Sequence, residues 1–329
     1  MAMLELMRLN RIGLRLRRRR RRRHSPIACP TTRETFLRIF VTGASGWIGS
    51  AVVPELISAG HQVLGLARSD GSARAVADMG ASVLRGDLND IDVLRAGALD
   101  SDGVIHLAFV VPSVTEAATQ TDARAIETLA RSLAGSGQPL VVSGATLVTP
   151  GRPATERDEL IAAGPIAARI TNMQAALAAA SRGVRSSLVM LPRSVHGEGE
   201  RHGFIPQLIA RARAKGVSGY LGDGSSRWPA VHVQDAASLY RLAVEQAPAG
   251  AVLNAVGDEG VPVRAIAEAI GRPLDLPARS LPAEEFEGML VPLLSTDMPA
   301  SSTITQELLG WKPTHPGLIE DIEQGHYFR

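Results

Sequence analysis

From Leu37 onward, short β-branched apolar runs alternate with longer stretches in which apolar residues return every three or four positions. That alternation predicts parallel strands joined by crossover helices, an α/β fold with a doubly wound sheet. Strands are expected near residues 37–42, 62–66, 82–85, 103–107, 139–143 and 185–191, and helices near 47–59, 72–79, 115–134 and 164–181. Leu140-Val141-Val142 and Ser187-Leu188-Val189-Met190-Leu191 are almost continuously apolar, as befits strands covered on both faces. After Pro192 glycines punctuate shorter segments, with helices expected near 204–214, 235–246 and 263–270. The expected division is a basic extension over 1–36, a nucleotide-binding core over 37–191, and a smaller lobe over 192–329 with elements returning to the core.

The junction of the first strand and helix carries the most chemistry. Leu37-Arg38-Ile39-Phe40-Val41-Thr42 runs into Gly43, Gly46 and Gly49, with Ser45, Trp47 and Ile48 between them. Gly43 permits a sharp turn, Gly46 removes a side chain that would block a pyrophosphate, and Gly49 allows close helix–sheet packing. The spacing predicts a dinucleotide cradle of the Rossmann type, with the anion on free N–H groups at a helix start. The second strand ends in Arg68-Ser69 rather than an acid, which favours the 2′-phosphate of NADP over the ribose diol of NAD, although Asp70 stands close by. NAD stays open, and so does a solvated Arg68 that merely starts the next helix. Asp87 and Leu88 follow the third strand, where Asp87 either accepts from adenine or caps the next helix. Leu107 and Ala108 end the fourth strand, where small residues let the backbone approach a cofactor; His106 reads as a strand-filling residue.

Composition narrows the function classes. The formal charge of +2 is misleading, because residues 1–36 hold eleven arginines against Glu5 and Glu34, which leaves the body at about −7. An acidic body excludes a general nucleic-acid surface there. Seven adjacent arginines, Arg17 to Arg23, predict a disordered leader, with an anionic-partner arm as the alternative. Cys29 is the only cysteine, so the body has no disulfide or thiolate chemistry, which fits a reducing cytoplasm. The longest apolar run, Val104 to Pro112, is too short for a membrane span and reads as a buried strand and its exit. No metal-ligand spacing is present.

Taken together, the motifs resemble the extended short-chain dehydrogenases/reductases, in their NAD-dependent epimerase/dehydratase branch. The carriers are Thr42-Gly43-Ala44-Ser45-Gly46-Trp47-Ile48-Gly49, Gly86-Asp87-Leu88, Val104-Ile105-His106-Leu107-Ala108, Leu191-Pro192 with Val195-His196-Gly197, Gly222-Asp223-Gly224, Val231-His232-Val233-Gln234-Asp235 and Leu309-Gly310-Trp311. The resemblance implies a seven-stranded sheet, a C-terminal substrate lobe, and chemistry on a carbonyl, alcohol or sugar carbon. It also implies a tyrosine followed four residues later by lysine on the helix after strand five, and this chain has no such pair. Matching Gln174 to the family places Ile166 and Ile170 there; a shift of one places Pro165 and Arg169.

The active-site candidates are therefore Ser143 and Thr146 at the end of strand five, Arg169 on the helix, and His196. Each also has a structural reading: backbone bonding for the hydroxyls, and a satisfied core position for the histidine. Pro192 and Val195 are expected along the nicotinamide. Arg227, Trp228 and His232 either wall a pocket or, for Trp228, fill the core, while Asp235 is expected to cap a helix. His315 and His326 suggest no constellation. The expected function is an NADP-dependent oxidoreductase of a small, uncharged carbonyl or alcohol substrate. The alternatives are an epimerase or dehydratase without net redox, and a non-catalytic NADP(H) sensor. Homodimerisation through the helices at 115–134 and 164–181 is expected by analogy.

Overall fold

The computed structural model describes residues 36–109, 115–286, 288 and 290–329; the basic extension up to residue 35 and the exit of the fourth strand beyond Phe109 lie outside the described residues. The first half runs β1 (Arg38–Thr42), α1 (Gly49–Ser58), β2 (Gln62–Ala67), α2 (Asp70–Asp78), β3 (Ser82–Arg85), α3 (Ile91–Leu99), β4 (Gly103–His106), α4 (Glu116–Ser132), β5 (Pro139–Ala145), α5 (Ala167–Ala178) and β6 (Arg185–Leu191). It continues with β7 (Ser194–His196), α6 (Phe204–Lys215), β8 (Ser218–Tyr220), β9 (Arg227–His232), α7 (Val233–Gln246), β10 (Ala251–Asn254), β11 (Asp258–Pro262), α8 (Val263–Leu274) and β12 (Ala278–Ser280). Three short helices follow: α9 (Leu290–Ser295), α10 (Thr303–Leu309) and α11 (Leu318–Glu323).

The central sheet is parallel, in the order β10-β6-β5-β4-β1-β2-β3. Alternation of side chains along each strand sends Phe40, Leu140 and Met190 to one face, packed with Leu129 of α4 and Met173 of α5. Val41, Val141 and Val189 go to the other, against Val52, Leu56 and Tyr240 of α1 and α7. Both faces are dry, which explains the continuously apolar runs. The seventh strand, β10, has only four residues and did not stand out as a periodic segment. The helix expected at 164–181 is shorter: Gly164–Ile166 forms a tight 3₁₀ turn before α5 begins at Ala167, and another such turn, Ala179–Arg182, ends it.

A second, three-stranded sheet in the order β11-β9-β7 continues from the carboxyl end of β6. β7 pairs in parallel with β9, and β11 antiparallel. Its hydrophobic cluster contains Trp228, Ile266, Ile270 and Ile322. Trp228 is fully buried there and its indole donates to the Leu293 carbonyl at 3.0 Å, so it is a core residue.

Asp235 does not cap α7. That helix starts at Val233, with His232 at its cap, which places Asp235 inside the first turn. Its buried carboxylate accepts from the N–H groups of Thr314 and His315, both at 3.0 Å, and lies 2.8 Å from His315 Nδ1. The Trp311 indole donates to the Asp235 carbonyl at 3.0 Å. One side chain thus clasps the C-terminal segment onto α7. A buried carboxylate with this many donors is expensive to remove. Asp235→Ala is expected to destabilise the fold by roughly 3 kcal/mol in urea denaturation, and Asp235→Asn, which keeps one acceptor oxygen, by less.

Candidate active site

The turn after β1 has the form that its glycines require. Gly43 adopts φ +72°, and a Cβ there would lie 2.8 Å from Ala108 N. A Cβ on Gly49 would lie 2.6 Å from Ala44 O, so the helix approaches the sheet only without a side chain. A Cβ on Gly46 would meet only Gly43 O at 3.2 Å and otherwise project into open space. Among the described residues no acceptor is found for the N–H groups of Trp47 and Ile48, which precede α1. A helix start with free donors and a glycine opening suits a pyrophosphate.

This turn opens into a cleft of about 620 Å³ lined by Gly43, Ser45, Gly46, Arg68, Ser72, Asp87, Leu88, Ala108 and Phe109, together with Thr115 and Thr121 on the side of α4. The size and shape suit a dinucleotide. Trp47, Ile48, Gly49, Ser69, Leu107, Pro192 and Val195, also expected at the cofactor, are not in this lining. Trp47 and Val195 do meet: the indole donates to the Val195 carbonyl at 2.8 Å and ties the cradle to β7. Leu107 donates its N–H to Thr42 O at 3.2 Å, and Pro192 is buried just after β6.

At the ribose end Arg68 is exposed on the cleft wall and makes no ion pair among the described residues. Asp70, the acid that complicates its reading, is taken by Arg85, whose Nη2 donates at 2.9 Å while Nη1 bonds Ser69 O at 2.6 Å. Ser69, expected beside Arg68 at the cofactor, uses its hydroxyl to cap α2 by accepting from Ser72 N at 3.2 Å in a capping box. Ser72, one turn later, lines the cleft in its place. Asp87 accepts from Asn89 N at 2.6 Å through one oxygen, and Asp90 Oδ2 accepts from Asp87 N at 2.9 Å. Asp87 therefore shapes the turn before α3 rather than capping the helix.

The floor of the cleft rests on a buried polar chain that sequence reasoning missed. β1 and β4 place Thr42 opposite His106, with Thr42 Oγ1 2.8 Å from His106 Nδ1. His106 Nε2 lies 3.2 Å from Asp122 Oδ1 on α4. Asp122 Oδ2 accepts from Arg169 Nη1 at 2.5 Å and from Asn172 Nδ2 at 2.6 Å, both on α5. Burial raises the Asp122 carboxyl, but the His106 hydrogen bond and the Arg169 charge outweigh it and hold the group down at about 2. An ionised Asp122 only accepts, which puts the proton of His106 on Nε2 and makes Nδ1 the acceptor of the Thr42 hydroxyl. Thr42 Oγ1 in turn accepts from Ala108 N at 3.3 Å, beside Gly43. A sequence signal existed: Asp122 shares the buried stripe of α4 with Thr119, Ile126 and Leu129, at helical spacing.

Arg169 is thus an embedded residue. Its Nη2 donates to the Ser143 carbonyl at 2.5 Å and its guanidinium lies 4.1 Å over the Phe109 ring. Ile166 is exposed at the end of the 3₁₀ turn and Ile170 is buried, and neither side chain carries a proton donor. Ser143 is likewise committed: its hydroxyl donates to His106 O at 3.1 Å and lies 2.7 Å from the Tyr240 hydroxyl on α7. Thr146 differs. Its N–H bonds Leu191 O at 2.9 Å, but its hydroxyl, in a residue 3% exposed, has no partner among the described residues.

His196 lies in a different cluster. Its Nδ1 is 2.9 Å from Asp321 Oδ2, its Nε2 is buried and unpartnered among the described residues, and its ring packs edge-on to His232 at 5.5 Å. His232 stacks on His315 at 4.8 Å, and His326 comes within 3.8 Å of Asp321, so both C-terminal histidines do have a constellation. Burial, followed by the neighbouring His196, pushes His232 below its ordinary range. Nearby Tyr327 donates to Glu200 Oε2 at 2.6 Å and accepts from Gly197 N at 3.1 Å. Burial raises Glu200 to about 7, against the Tyr327 bond and with help from the Asp321 charge.

Asp122 and Glu200 act on stability at opposite ends of the pH scale. Asp122 titrates lower folded than unfolded, so its contribution, about 2 kcal/mol, is complete above pH ~4 and is lost as pH falls through about 2. Glu200 titrates higher folded than unfolded, so stability declines as pH rises from 4.5 through about 7. Chemical denaturation across pH should show both slopes, with Asp122→Asn flattening the acid one and Glu200→Gln the other.

The model of the NAD dependent epimerase/dehydratase family matches residues 39–255. An uncharacterized protein of Schizosaccharomyces pombe is 44% identical over 298 residues, covering 89% of this chain and 100% of that protein. A 4-hydroxy-2-methyl-3-oxo-4-farnesyl-3,4-dihydroquinoline-1-oxide ketoreductase of Stigmatella aurantiaca is 29% identical over 226 residues, 66% of this chain and 67% of the reductase. Among solved structures, Thermus thermophilus UDP-glucose 4-epimerase in complex with NAD superposes with a TM-score of 0.70 at 20% identity, over 88% of this chain and 98% of the epimerase. With the glycine cradle, the seven-stranded sheet and a family match over most of the described residues, this chain belongs to the NAD-dependent epimerase/dehydratase family, a branch of the extended short-chain dehydrogenases/reductases.

Proposed function

We propose that the protein is an NADP-dependent oxidoreductase acting on a small carbonyl or alcohol substrate, working without the tyrosine–lysine pair of its family. The observation that carries the cofactor choice is Arg68: exposed on the same cleft as Gly43 and Gly46, and relieved of Asp70 by Arg85. A guanidinium so placed offers a 2′-phosphate charge-assisted, potentially bidentate hydrogen bonds, which a ribose diol does not reward. The likeness to a ketoreductase supports net reduction as the outcome.

A reduced nicotinamide bound in this cleft supplies hydride to a carbonyl carbon. The chain's own task is to hold the carbonyl oxygen and see it protonated. Thr146 has the free buried hydroxyl for this, at the carboxyl end of β5 where ligands of open α/β sheets sit. Arg169 serves as a positioning residue, since its bond to Ser143 O and its pair with Asp122 fix the strand end from which Thr146 departs. A guanidinium does not serve as a general acid, so the Thr146 hydroxyl is left to donate a hydrogen bond to the oxygen of the forming alkoxide, which takes its proton from water. The lobe built on β7, β9 and β11 closes the substrate side.

Calorimetric titration should show NADPH binding at least about tenfold tighter than NADH, with Arg68→Ala removing most of the difference; equal affinities in the unmutated protein refute the phosphate assignment. Thr146→Val should lower kcat by about 100-fold while leaving NADPH affinity unchanged. Substrate turnover with no net loss of NADPH absorbance would instead establish the isomerising reaction.

A further inference from the structure

Arg193 stands on the short segment between β6 and β7, and its surroundings differ from those of the other enclosed arginines. Arg169, Arg182 and Arg241 each meet a carboxylate, and Arg185 bonds two backbone carbonyls. Arg193 directs Nε at 3.1 Å and Nη2 at 2.5 Å to the sulfur of Met298, and its guanidinium lies 5.7 Å from the buried Trp228 ring. Among the described residues it finds no oxygen acceptor. A thioether is a weak acceptor, so a guanidinium drawn out of water here lacks the anion that normally accompanies it. Burial lowers its pKa only to about 10, so the charge persists at neutral pH.

Its place in the fold says what the missing anion belongs to. Leu191 lies opposite Ala145 in the β5–β6 register, and Thr146 N bonds Leu191 O at 2.9 Å. Arg193 therefore emerges two residues beyond the position beside Thr146, whose hydroxyl, like that of the neighbouring Ser194, is buried without a partner among the described residues. Arg68 follows β2, four strands away in the sheet order. At about 4.8 Å per strand this is roughly 19 Å, too far for one phosphate to engage both cations.

We propose that Arg193 anchors an oxyanion on the substrate, a carboxylate or a phosphate ester, while Thr146 holds the reacting carbonyl. The inference rests on the oxidoreductase reading and replaces an uncharged substrate with an anionic one. The guanidinium takes the oxyanion in a forked pair of hydrogen bonds, and the unbranched Met298 side chain gives way.

The test uses two matched pairs on the full-length protein saturated with NADP⁺ for binding, or supplied with NADPH for turnover: 4-oxopentanoate against its methyl ester, and dihydroxyacetone phosphate against dihydroxyacetone. The charged member of one pair should bind about tenfold or more tightly than its neutral partner, and the responding pair identifies the anion. Arg193→Met should bring that ratio close to one, Arg193→Lys should keep part of it, and the ligand-free Arg193→Met protein should melt no lower than the unmutated one. Equal binding within both pairs, no saturable binding of either charged probe up to about 10 mM, or a preference that survives Arg193→Met overturns the proposal. An Arg193-dependent preference without NADPH consumption leaves the anion site standing and removes the oxidoreductase reading. Reduction of the neutral compounds at rates indifferent to charge does the reverse.

Discussion

A single buried carboxylate, Asp122, binds together the elements on which the cofactor cleft is built. Through His106 and Thr42 it reaches β4 and β1, and through Arg169 and Asn172 it reaches α5 and the end of β5. Polar groups removed from water in a sheet this dry must be matched, and the matching here runs in one direction from a fixed negative charge. Its last step orients the Ala108 N–H beside Gly43, where there is no room for a side chain. The glycine turn therefore rests on a support that is ionic and enclosed.

The same network runs along α5, a helix that carries neither tyrosine nor lysine. Ile166 is exposed, whereas Ile170 joins the core under α5. Arg169, one residue away, supplies a positive charge close to the strand end, but that charge is matched by Asp122 and covered by Phe109. It steadies the backbone leading to Thr146 and does not face outward as a free cation. Ser143, with both hydroxyl bonds directed to His106 O and Tyr240, belongs to the same scaffold. Thr146, just beyond the strand end, keeps its buried hydroxyl outside this scaffold, without a partner among the described residues.

The C-terminal third is held by separate polar clasps. Asp235 fixes residues 314 and 315, Arg227 pairs with Asp297 on the exposed rim of the lobe, and Asp321 bonds His196. Each links segments that are distant in sequence, so the second sheet is positioned by hydrogen bonds as well as by the cluster around Trp228. Arg193 sits between these clasps and the main sheet without one of its own.

The sequence by itself determined the α/β alternation, six of the seven central strands, the cradle and the removal of an acid from the end of β2, because each is written in local terms: periodicity, glycine at a turn, one residue type at a strand end. β10 was too short to carry a period, and the three-stranded sheet is assembled from brief strands separated by helices. Partnership was decided only in three dimensions. Whether Ser69 is a ligand donor or a cap, whether Asp235 holds a helix or a distant segment, and whether Arg169 is free or paired depend on groups brought within about 3 Å of one another by folding, where hydrogen-bond energy is decided. A one-dimensional pattern can state which side chains are able to donate or accept, but it takes the packed chain to show which of them have already been satisfied.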